Sequence, residues 1–283
     1  MRILLTGAGG QLGRALAPAL VDHELAAYDR TGLDIADLSR VRDAVRAQQP
    51  ELVLNAAAYN AVDQAETELE AAYRANAVGP RNLALAAAEA GASILHVSTD
   101  YVFDGEASRP YHEYDHPNPR SVYGRSKLAG EDAVRALNPR HYLVRTAWLY
   151  APAGRNFPST ILARARQGPL RVVDDQRGSP TYAPHLAAVL ARLIATRAYG
   201  TWHLAGAGEA SWYELTLELL RLAGIDCAVL PVTTAEYPRP APRPRYSALT
   251  SIQEPHLRLP RWEDGVREFV RTMPPPAAHA PGD

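Results

Sequence analysis

The sequence contains very little cysteine, methionine and phenylalanine, and it has no long apolar run. Among 283 residues there are one cysteine, two methionines and three phenylalanines. The single cysteine, Cys227, excludes an intrachain disulfide, and an isolated thiol is most often a small buried apolar group. No stretch approaches the roughly 20 apolar residues of a membrane span, and the run after Met1 is too short for a signal peptide. We therefore expect a cytoplasmic protein with no membrane partner.

An excess of positive charge is also absent. The formal net charge is −1, which argues against a broad nucleic-acid partner because such binding needs a basic surface. Lysine is rarer still: of the 30 Lys and Arg residues, all except Lys127 are arginine. A compact ammonium with an adjustable pKa does not interchange with a planar, permanently charged guanidinium. The one retained lysine, four residues after Tyr123, therefore indicates a chemical role.

What the chain does contain is a regular alternation of apolar strands and helical patterns. Each strand in the first half is a nearly unbroken apolar run, which is typical of a parallel sheet covered on both faces. The predicted strands are 2–6, 25–28, 52–55, 93–97 and 142–146, and the helices between them are 11–21, 38–48, 67–90 and 121–137. This order predicts an α/β fold with a doubly wound parallel (Rossmann) sheet and a smaller, C-terminal substrate-binding domain.

The second half is less regular. Strands are predicted at 170–173 and 202–205 and helices at 184–196 and 261–272, with capping boxes at Thr67-x-x-Glu70 and Ser211-x-x-Glu214. The proline-rich stretch 237–244 cannot form a central strand. We assign 1–149 with about 170–201 to dinucleotide binding and about 150–169 with 202–272 to substrate binding. Residues 273–283, rich in Pro and Ala, are predicted to be a flexible tail.

A glycine-rich loop, TGAGGQLG, links the first strand to the first helix and places Gly7, Gly10 and Gly13 three residues apart. Glycine there allows a tight turn, lets backbone N–H groups approach a pyrophosphate and lets helix and strand pack closely. The pattern predicts a dinucleotide site, and the alternative is an ordinary strand–helix turn. The G-x-x-G-x-x-G spacing is longer than the G-x-G-x-x-G fingerprint and is typical of short-chain dehydrogenases.

The residues after the second strand bear on cofactor choice. Asp29 ends that strand, where a carboxylate meets the adenosine ribose and would repel a 2′-phosphate. Arg30 follows Asp29 and favours NADP, because its guanidinium would hold the 2′-phosphate. The preference between NADPH and NADH therefore stays open at this point. Asp34-Ile35 lies where an Asp would bond adenine, and its alternative is a helix cap.

Tyr123 and Lys127 are the strongest catalytic candidates. Residues four apart face the same side of a helix. A tyrosine has a pKa of about 10, and a nearby ammonium lowers it toward the working range. Thr99 follows the fourth strand, where the sites of open α/β sheets gather, and its hydroxyl is suited to polarising a substrate carbonyl. The alternative for the pair is a solvated surface contact.

Seven segments resemble the extended short-chain dehydrogenase/reductases, and within them the dTDP-4-dehydrorhamnose reductases. They span most of the chain, from Ile3 to Leu249, and read ILLTGAGGQLG, VLNAAAYNAVDQAE, STDYVFDG, SVYGRSKLAGE, VRTAWLYAPAGRNF, DDQRGSPTYAPHLA and RPRYSAL. The resemblance implies reduction of the C4 ketone of dTDP-4-dehydro-β-L-rhamnose to dTDP-β-L-rhamnose. The implied cofactor is NADPH, with NADH possible, and the implied partner is a nucleotide-sugar substrate.

The resemblance also implies a role for each matching residue. Tyr123 would donate the proton, Lys127 would assist it, Thr99 would tune the substrate carbonyl and Trp148 would contact the deoxysugar. Cofactor contacts are implied at Gly10, Gln11 and Leu12 (pyrophosphate), Asp29 (ribose), Asp34 and Ile35 (adenine), and Ala58, Tyr59 and Asn60 (nicotinamide side). Asp100, Asn156 and Arg243 complete the candidate substrate-binding residues, and Gly7 and Gly13 complete the cofactor loop.

Two positions depart from the family pattern. Asn60 stands where the family usually shows Thr. Ala15 stands where some members carry a glutamate linked to a magnesium-bridged dimer, so neither a Mg²⁺ ion nor a metal-built dimer is expected. The nine histidines show no metal-ligand spacing. The chain is expected to be a monomer or a homodimer.

Two other functions remain open from the sequence. A nucleotide-sugar epimerase or dehydratase shares the glycine loop and Tyr-x-x-x-Lys, although dehydratases use a Thr-Asp-Glu run and this chain has Thr99-Asp100-Tyr101. A regulatory subunit of methionine adenosyltransferase uses the same fold to bind a partner and NADP. Retention of Tyr123, Lys127 and Thr99 together favours an enzyme.

Overall fold

The computed structural model describes residues 1–273, so residues 274–283 of the predicted tail lie outside the described part. The helices are α1 (Gln11–Ala19), α2 (Leu38–Gln48), α3 (Leu69–Tyr73), α4 (Gly79–Glu89), α5 (Val122–Leu137), α6 (Phe157–Ala165), α7 (Ala183–Thr196), α8 (Trp212–Ala223) and α9 (Trp262–Arg271). None of the helices in this range is long and apolar enough to cross a bilayer.

A six-stranded parallel sheet forms the centre of the chain. Six strands form the main sheet and six shorter ones form three two-stranded sheets within residues 1–273. In chain order the strands are β1 (Arg2–Thr6), β2 (Glu24–Tyr28), β3 (Leu52–Asn55), β4 (Ser93–Thr99), β5 (His141–Thr146), β6 (Leu149–Tyr150), β7 (Leu170–Val173), β8 (Arg177–Gly178), β9 (Thr181–Tyr182), β10 (Gly200–His203), β11 (Ala210–Ser211) and β12 (Val229–Val232). The order across the main sheet is β10–β5–β4–β3–β1–β2, and every pairing in it is parallel.

Helices cover both faces of this sheet, because successive side chains of a strand point to opposite faces. Ile3 and Leu5 pack on one face with the apolar residues of α1 and α7. Leu4 packs on the other face with those of α2 and α4. The predicted doubly wound α/β fold is confirmed, and the inner strands β1 and β3 are mainly apolar and buried because helices cover both of their faces.

The second-half strands divide differently from the predicted boundaries. The assignment placed about 170–201 with the dinucleotide part, but β7 pairs with β12 in a separate two-stranded sheet and packs with α6, α8 and α9. Conversely, the predicted substrate part began again at residue 202 and so included the second half of β10. In the structure β10 pairs with β5 and forms an edge of the main sheet. Pairing between strands that are distant in the sequence decides this division. The apolar pattern of a single segment does not show which strand it will pair with. The division into two functional domains stays a prediction.

The predicted helix 67–90 is interrupted. Residues Arg74–Val78 form a π-helical turn between α3 and α4. Pro80 lacks the N–H that a regular helix would donate to the Asn76 carbonyl, and this loosens the turn. The capping box expected at Thr67 is wrong, since α3 begins at Leu69 with no side-chain cap. The capping box of Ser211 and Glu214 is confirmed.

Candidate active site

A cleft of about 700 Å³ lies at the carboxyl ends of β1, β3, β4 and β5, between the main sheet and the second half of the chain. Sites of open α/β sheets gather at this edge. Eleven of the predicted site residues line it: Gly10, Gln11, Leu12, Ala58, Asn60, Thr99, Asp100, Tyr123, Lys127, Trp148 and Arg243. A wider hollow of about 1030 Å³ at the opposite edge is lined by residues such as Arg2, Leu52 and Ser93 at the strand starts, and it contains none of the predicted site residues.

The glycine loop forms one wall of the cleft. Gly7 has a left-handed φ of +78°, and a Cβ there would lie 2.5 Å from the Ala57 nitrogen. Gly13 packs against the Gly7 carbonyl in the same tight manner. Gly10 begins α1 without a side-chain cap, which leaves backbone N–H groups at the helix start for an anion. Gly7 and Gly13 therefore shape the loop, whereas Gly10, Gln11 and Leu12 face the cleft.

The predicted adenosine contacts lie outside the cleft. Asp29 is exposed, and its Oδ1 accepts hydrogen bonds from Thr31 N–H (2.9 Å), the Thr31 hydroxyl (2.7 Å) and Gly32 N–H (2.9 Å). These bonds, that of Gly32 first, lower the pKa of Asp29. The Asp29 carboxylate thus shapes its own turn next to Gly9, whose added Cβ would lie 3.6 Å from the Asp29 Cβ.

Asp34 and Ile35 also have structural partners. Asp34 accepts a hydrogen bond from Arg74 at 2.7 Å, and this bond is the largest cause that lowers the pKa of Asp34. Ile35 is buried in the core beside Gly79. The adenine role of both residues stays a prediction, and the Ile35 side chain is committed to packing.

The loop from Ala58 to Asn60 is fixed from behind by Asn76. The Asn76 Oδ1 accepts a hydrogen bond from Tyr59 N–H (2.8 Å), and its Nδ2 donates to the Tyr59 carbonyl (3.1 Å) and to the Ser126 hydroxyl (3.0 Å). The π-helical turn therefore joins this loop to α5. The Tyr59 hydroxyl bonds Glu68 and faces away, so Ala58 and Asn60 are the members that line the cleft.

Tyr123 and Lys127 lie on α5 at the base of the cleft. Tyr123 is 9% exposed and Lys127 is 2% exposed. The Lys127 ammonium donates to the Val97 carbonyl at 2.7 Å. Burial lowers the pKa of Lys127 to about 8, against the opposing influence of Glu131. The alternative of a solvated surface pair is thus excluded.

We expected the Lys127 ammonium to lower the pKa of Tyr123, but in the structure this pKa is raised. Burial raises the pKa of Tyr123 above its ordinary value, the Thr99 side chain opposes this, and the charges of Asp100 and Tyr101 add to it. A phenolate in a dry pocket is costly, and Lys127 bonds Val97 rather than the phenol. Tyr123 therefore enters a reaction as a fully protonated acid.

Thr99 and Asp100 face Tyr123 from the end of β4. The Thr99 hydroxyl donates to the Asp100 Oδ1 (3.0 Å), and the Ser247 hydroxyl donates to the Asp100 Oδ2 (2.6 Å). Burial raises the pKa of Asp100 to about 6, while these hydrogen bonds oppose the rise. Asp100 thereby fixes the Thr99 hydroxyl at the cleft and links it to the second half of the chain.

Trp148 lies on the second-half wall, where it stacks on Trp212. The two ring centroids are 3.5 Å apart and the planes differ by 3°. Trp212 donates to the Gln176 Oε1 at 3.2 Å. Trp148 has a left-handed φ of +46°, and a Cβ on Gly178 would lie 2.4 Å from its indole. Trp212 packs against the apolar core of the second half and also lines the cleft, where it supports Trp148.

Arg243 and Asn156, two predicted substrate contacts, differ in placement. Arg243 lines the cleft, donates to Asp63 (2.8 Å) and to the Tyr101 hydroxyl (3.0 Å), and ties the proline-rich stretch to the first half. Asn156 caps α6, accepting from Ser159 N–H at 3.0 Å and donating to the Ala151 carbonyl at 2.8 Å. The Asn156 side chain thus supports the cleft wall but does not itself line the cleft.

Sequence reasoning missed several residues that line the cleft: Asp63, Tyr101, Thr146, Arg164, Arg171, Gln176 and Arg239. Asp63, Tyr101, Thr146 and Gln176 lie inside segments that carry the family resemblance, whereas the three arginines lie in no such segment. The abundance of arginine was the available signal, but 29 similar residues gave no means of choosing. Their assembly depends on the fold.

The cleft fits a dinucleotide. The uncapped start of α1 suits a pyrophosphate. The Thr146 hydroxyl at the end of β5 is buried, lines the cleft and has no hydrogen-bond partner among the described residues, which marks a place for a ligand group. Within residues 1–273, no group of three or more His, Cys, Asp or Glu side chains is arranged to hold a metal ion.

Comparisons with known proteins point to one family. The family model described as "RmlD substrate binding domain" matches residues 1–274. A dTDP-4-dehydrorhamnose reductase of Streptomyces griseus is 47% identical over 260 residues, which cover 88% of this chain and 85% of that protein. The solved structure of a dTDP-4-dehydrorhamnose reductase from Clostridium acetobutylicum is similar with a TM-score of 0.93 and 44% identity, covering 96% of this chain and 99% of that one. The same enzyme from Bacillus anthracis, solved in complex with NADP, has a TM-score of 0.94 and 38% identity over the same shares of both chains.

Proposed function

The chain belongs to the RmlD substrate binding domain family, and from this premise we propose that it reduces the C4 ketone of dTDP-4-dehydro-β-L-rhamnose to dTDP-β-L-rhamnose. The observation that supports this most is the meeting of Tyr123 and Thr99 in one cleft with the uncapped start of α1. Relatives that bear this enzyme name align over most of the chain, which supports the same sugar here.

Tyr123 acts as the proton donor. The bound nicotinamide supplies a hydride to the C4 carbon, and the carbonyl oxygen takes the phenolic proton of Tyr123. The C4 carbonyl thereby becomes an alcohol, and the phenolate recovers its proton from water. Burial keeps Tyr123 protonated until the carbonyl oxygen becomes basic enough to accept the proton.

Thr99 and Lys127 prepare the transfer. The Thr99 hydroxyl donates its one proton to Asp100 in the free protein, and it would redirect that proton to the substrate carbonyl and polarise it when the sugar binds. Lys127 holds a positive charge at the base of the cleft, where it stabilises the phenolate that forms when the proton leaves. Its ammonium is also suited to bond the ribose hydroxyls of the nicotinamide nucleotide.

We propose NADPH as the cofactor, with NADH as a weaker alternative. The NADP complex of the Bacillus anthracis enzyme supports this choice. Within this chain, Asp29 uses its Oδ1 to shape its own turn, and Arg30 follows it at the exposed end of β2. An arginine there favours a 2′-phosphate.

A turnover assay with each reduced cofactor tests the proposal. The purified chain is mixed with dTDP-4-dehydro-β-L-rhamnose and either NADPH or NADH, and both cofactor absorbance and sugar product are followed. We expect one cofactor oxidised per dTDP-β-L-rhamnose formed, with a higher kcat/KM for NADPH. A Tyr123→Phe sample is the control for unspecific oxidation.

The other outcomes separate the alternatives. Conversion of the sugar without net loss of reduced cofactor would instead indicate an epimerase or dehydratase. Cofactor binding without any turnover, together with co-purification of a synthetase, would indicate a regulatory subunit. We further propose a cytoplasmic enzyme that acts as a monomer or homodimer, which light scattering of the purified chain would distinguish.

A further inference from the structure

An ion cluster with a buried centre lies directly behind the catalytic pair. Its centre is Glu131, which has no exposed surface. The Glu131 Oε1 accepts hydrogen bonds from the Ser98 hydroxyl (2.6 Å) and from Arg145 Nε (2.9 Å). Its Oε2 accepts from Arg145 and Arg135, both at 2.7 Å. All lone-pair positions of a carboxylate are thus engaged, and its position is fixed by three elements.

This carboxylate stands one helical turn after Lys127. Residues four apart on α5 face the same side, so Glu131 and Lys127 share the face that packs on β4 and β5. Burial disfavours the Glu131 carboxylate, but the hydrogen bond and charge of Arg145 outweigh this and hold the pKa of Glu131 below its ordinary value. Glu131 is therefore charged at neutral pH.

The remaining groups near Lys127 do not replace this anion. On β4, His96 is fully buried and bonds Asn55, and burial together with the Lys127 charge holds the pKa of His96 well below its ordinary value. The charged group that β5 contributes to this region is the cation Arg145, and besides Glu131 the same face of α5 carries the neutral phenol Tyr123. Within residues 1–273, Glu131 is the one charge that favours the protonated form of Lys127.

We propose that Glu131 is a positioning residue for the reaction, which keeps Lys127 in its ammonium form inside a dry pocket. The inference rests on the proposed function only where it concerns turnover. The ion pair with Arg145 fixes the carboxylate where it stabilises a buried ammonium one turn away, and Ser98 holds the same carboxylate against the strand that carries Thr99. A carboxylate whose charge did not act on Lys127 would leave the titration of Lys127 unchanged.

The chain permits a direct test, because it contains a single lysine. Protein grown with ¹³C-labelled lysine gives one side-chain signal, whose chemical shift reports the protonation of Lys127 as pH is raised. We expect a midpoint near 8 in the unaltered protein. In Glu131→Gln we expect the midpoint to fall by about one pH unit or more, the change that follows loss of a nearby opposite charge.

Two further variants complete the design. Glu131→Asp keeps an anion for Arg145 but withdraws it by one methylene, so its midpoint should fall less than that of Glu131→Gln. Asp22→Asn removes an exposed carboxylate outside the cluster and should leave the midpoint unchanged. An unchanged midpoint in folded Glu131→Gln overturns the proposal. If Glu131→Gln does not fold, an unchanged Lys127 midpoint in Glu131→Asp overturns the proposal.

A pH profile links the titration to turnover. Lys127 acts as a cation, so activity that depends on it is present below its pKa and is lost as pH rises through that pKa. The basic limb of kcat should therefore move to lower pH in Glu131→Gln by the same amount as the signal midpoint, and the NADPH Kd measured at pH 6 should stay near that of the unaltered protein. A basic limb that stays in place while the Lys127 midpoint moves would refute the link to catalysis. Failure of the unaltered protein to reduce the sugar would contradict the proposed function and leave the titration test intact.

Discussion

The two ends of the cleft differ in their exposure to water. At one end, Tyr123, Lys127 and Asp100 are buried, and burial is the largest cause of each pKa shift there. At the other end, Arg155 and Arg164 are exposed on the second-half wall. Charges interact strongly in a dry site and weakly in solvent. The buried end is thus suited to proton transfer, and the exposed end to collecting an anionic substrate.

The largest effect is expected from Tyr123→Phe at the buried end. The change removes the transferable proton and leaves the ring that packs against Tyr101. Turnover should fall by about 10²–10⁴-fold, the usual contribution of a positioned general acid. Cofactor Kd, measured by fluorescence titration, should stay within about twofold, since the lost atom is a single hydroxyl. Turnover above a tenth of the original rate would show that another group supplies the proton.

The next largest effect is expected from Lys127→Arg, which keeps the charge. Lys127 is 2% exposed and its ammonium bonds the Val97 carbonyl, so the bulkier planar guanidinium cannot take the same position without displacing its neighbours. We expect kcat to fall by about 10–100-fold, because a displaced cation would stabilise the phenolate by roughly one to two pKa units less. The matched control is Arg125→Lys on the exposed face of α5, which should leave kcat unchanged. Normal kcat in Lys127→Arg would remove the reason for the single lysine.

Gly178→Ala tests the wall between the two ends. The added methyl group would lie 2.4 Å from the Trp148 indole and would push it off Trp212. The KM for the sugar should rise by about 10-fold, since the strain of a tight contact is of order 1–3 kcal/mol. Cofactor Kd should not change, because the glycine loop lies across the cleft. A KM equal to that of the unaltered protein would show that the sugar does not use the Trp148 surface.

The smallest effect is expected from Arg164→Gln at the exposed end. One solvated charge contributes about 0–1 kcal/mol, so the KM should rise by no more than about fivefold and less in high salt. The matched control is Arg166→Gln, an exposed arginine at the end of the same helix that is not among the cleft-lining residues. A loss as large as that of Lys127→Arg would show that the arginine end is as dry as the catalytic end once substrate is bound.

Locally encoded features were predicted well. The first strand, the glycine loop and the helix after it are encoded within 20 consecutive residues, because turn geometry and apolar runs depend on near neighbours. The helical spacing of Tyr123 and Lys127 correctly placed both on one face of α5. Two local signals failed where distant contacts decided the result. The 67–90 helix is interrupted opposite α5, and the capping box expected at Thr67 does not form.

Spacing along a few turns or strands was enough to specify the parallel α/β architecture, the glycine loop and the acid–lysine pair. The behaviour of those groups depends on how the folded chain surrounds them. Burial raises the pKa of Tyr123 and lowers that of Lys127, and burial is a property of everything packed around a residue. The second-half wall, from Trp148 to Arg243, likewise joins segments about 100 residues apart, and such long-range packing is not contained in any local pattern.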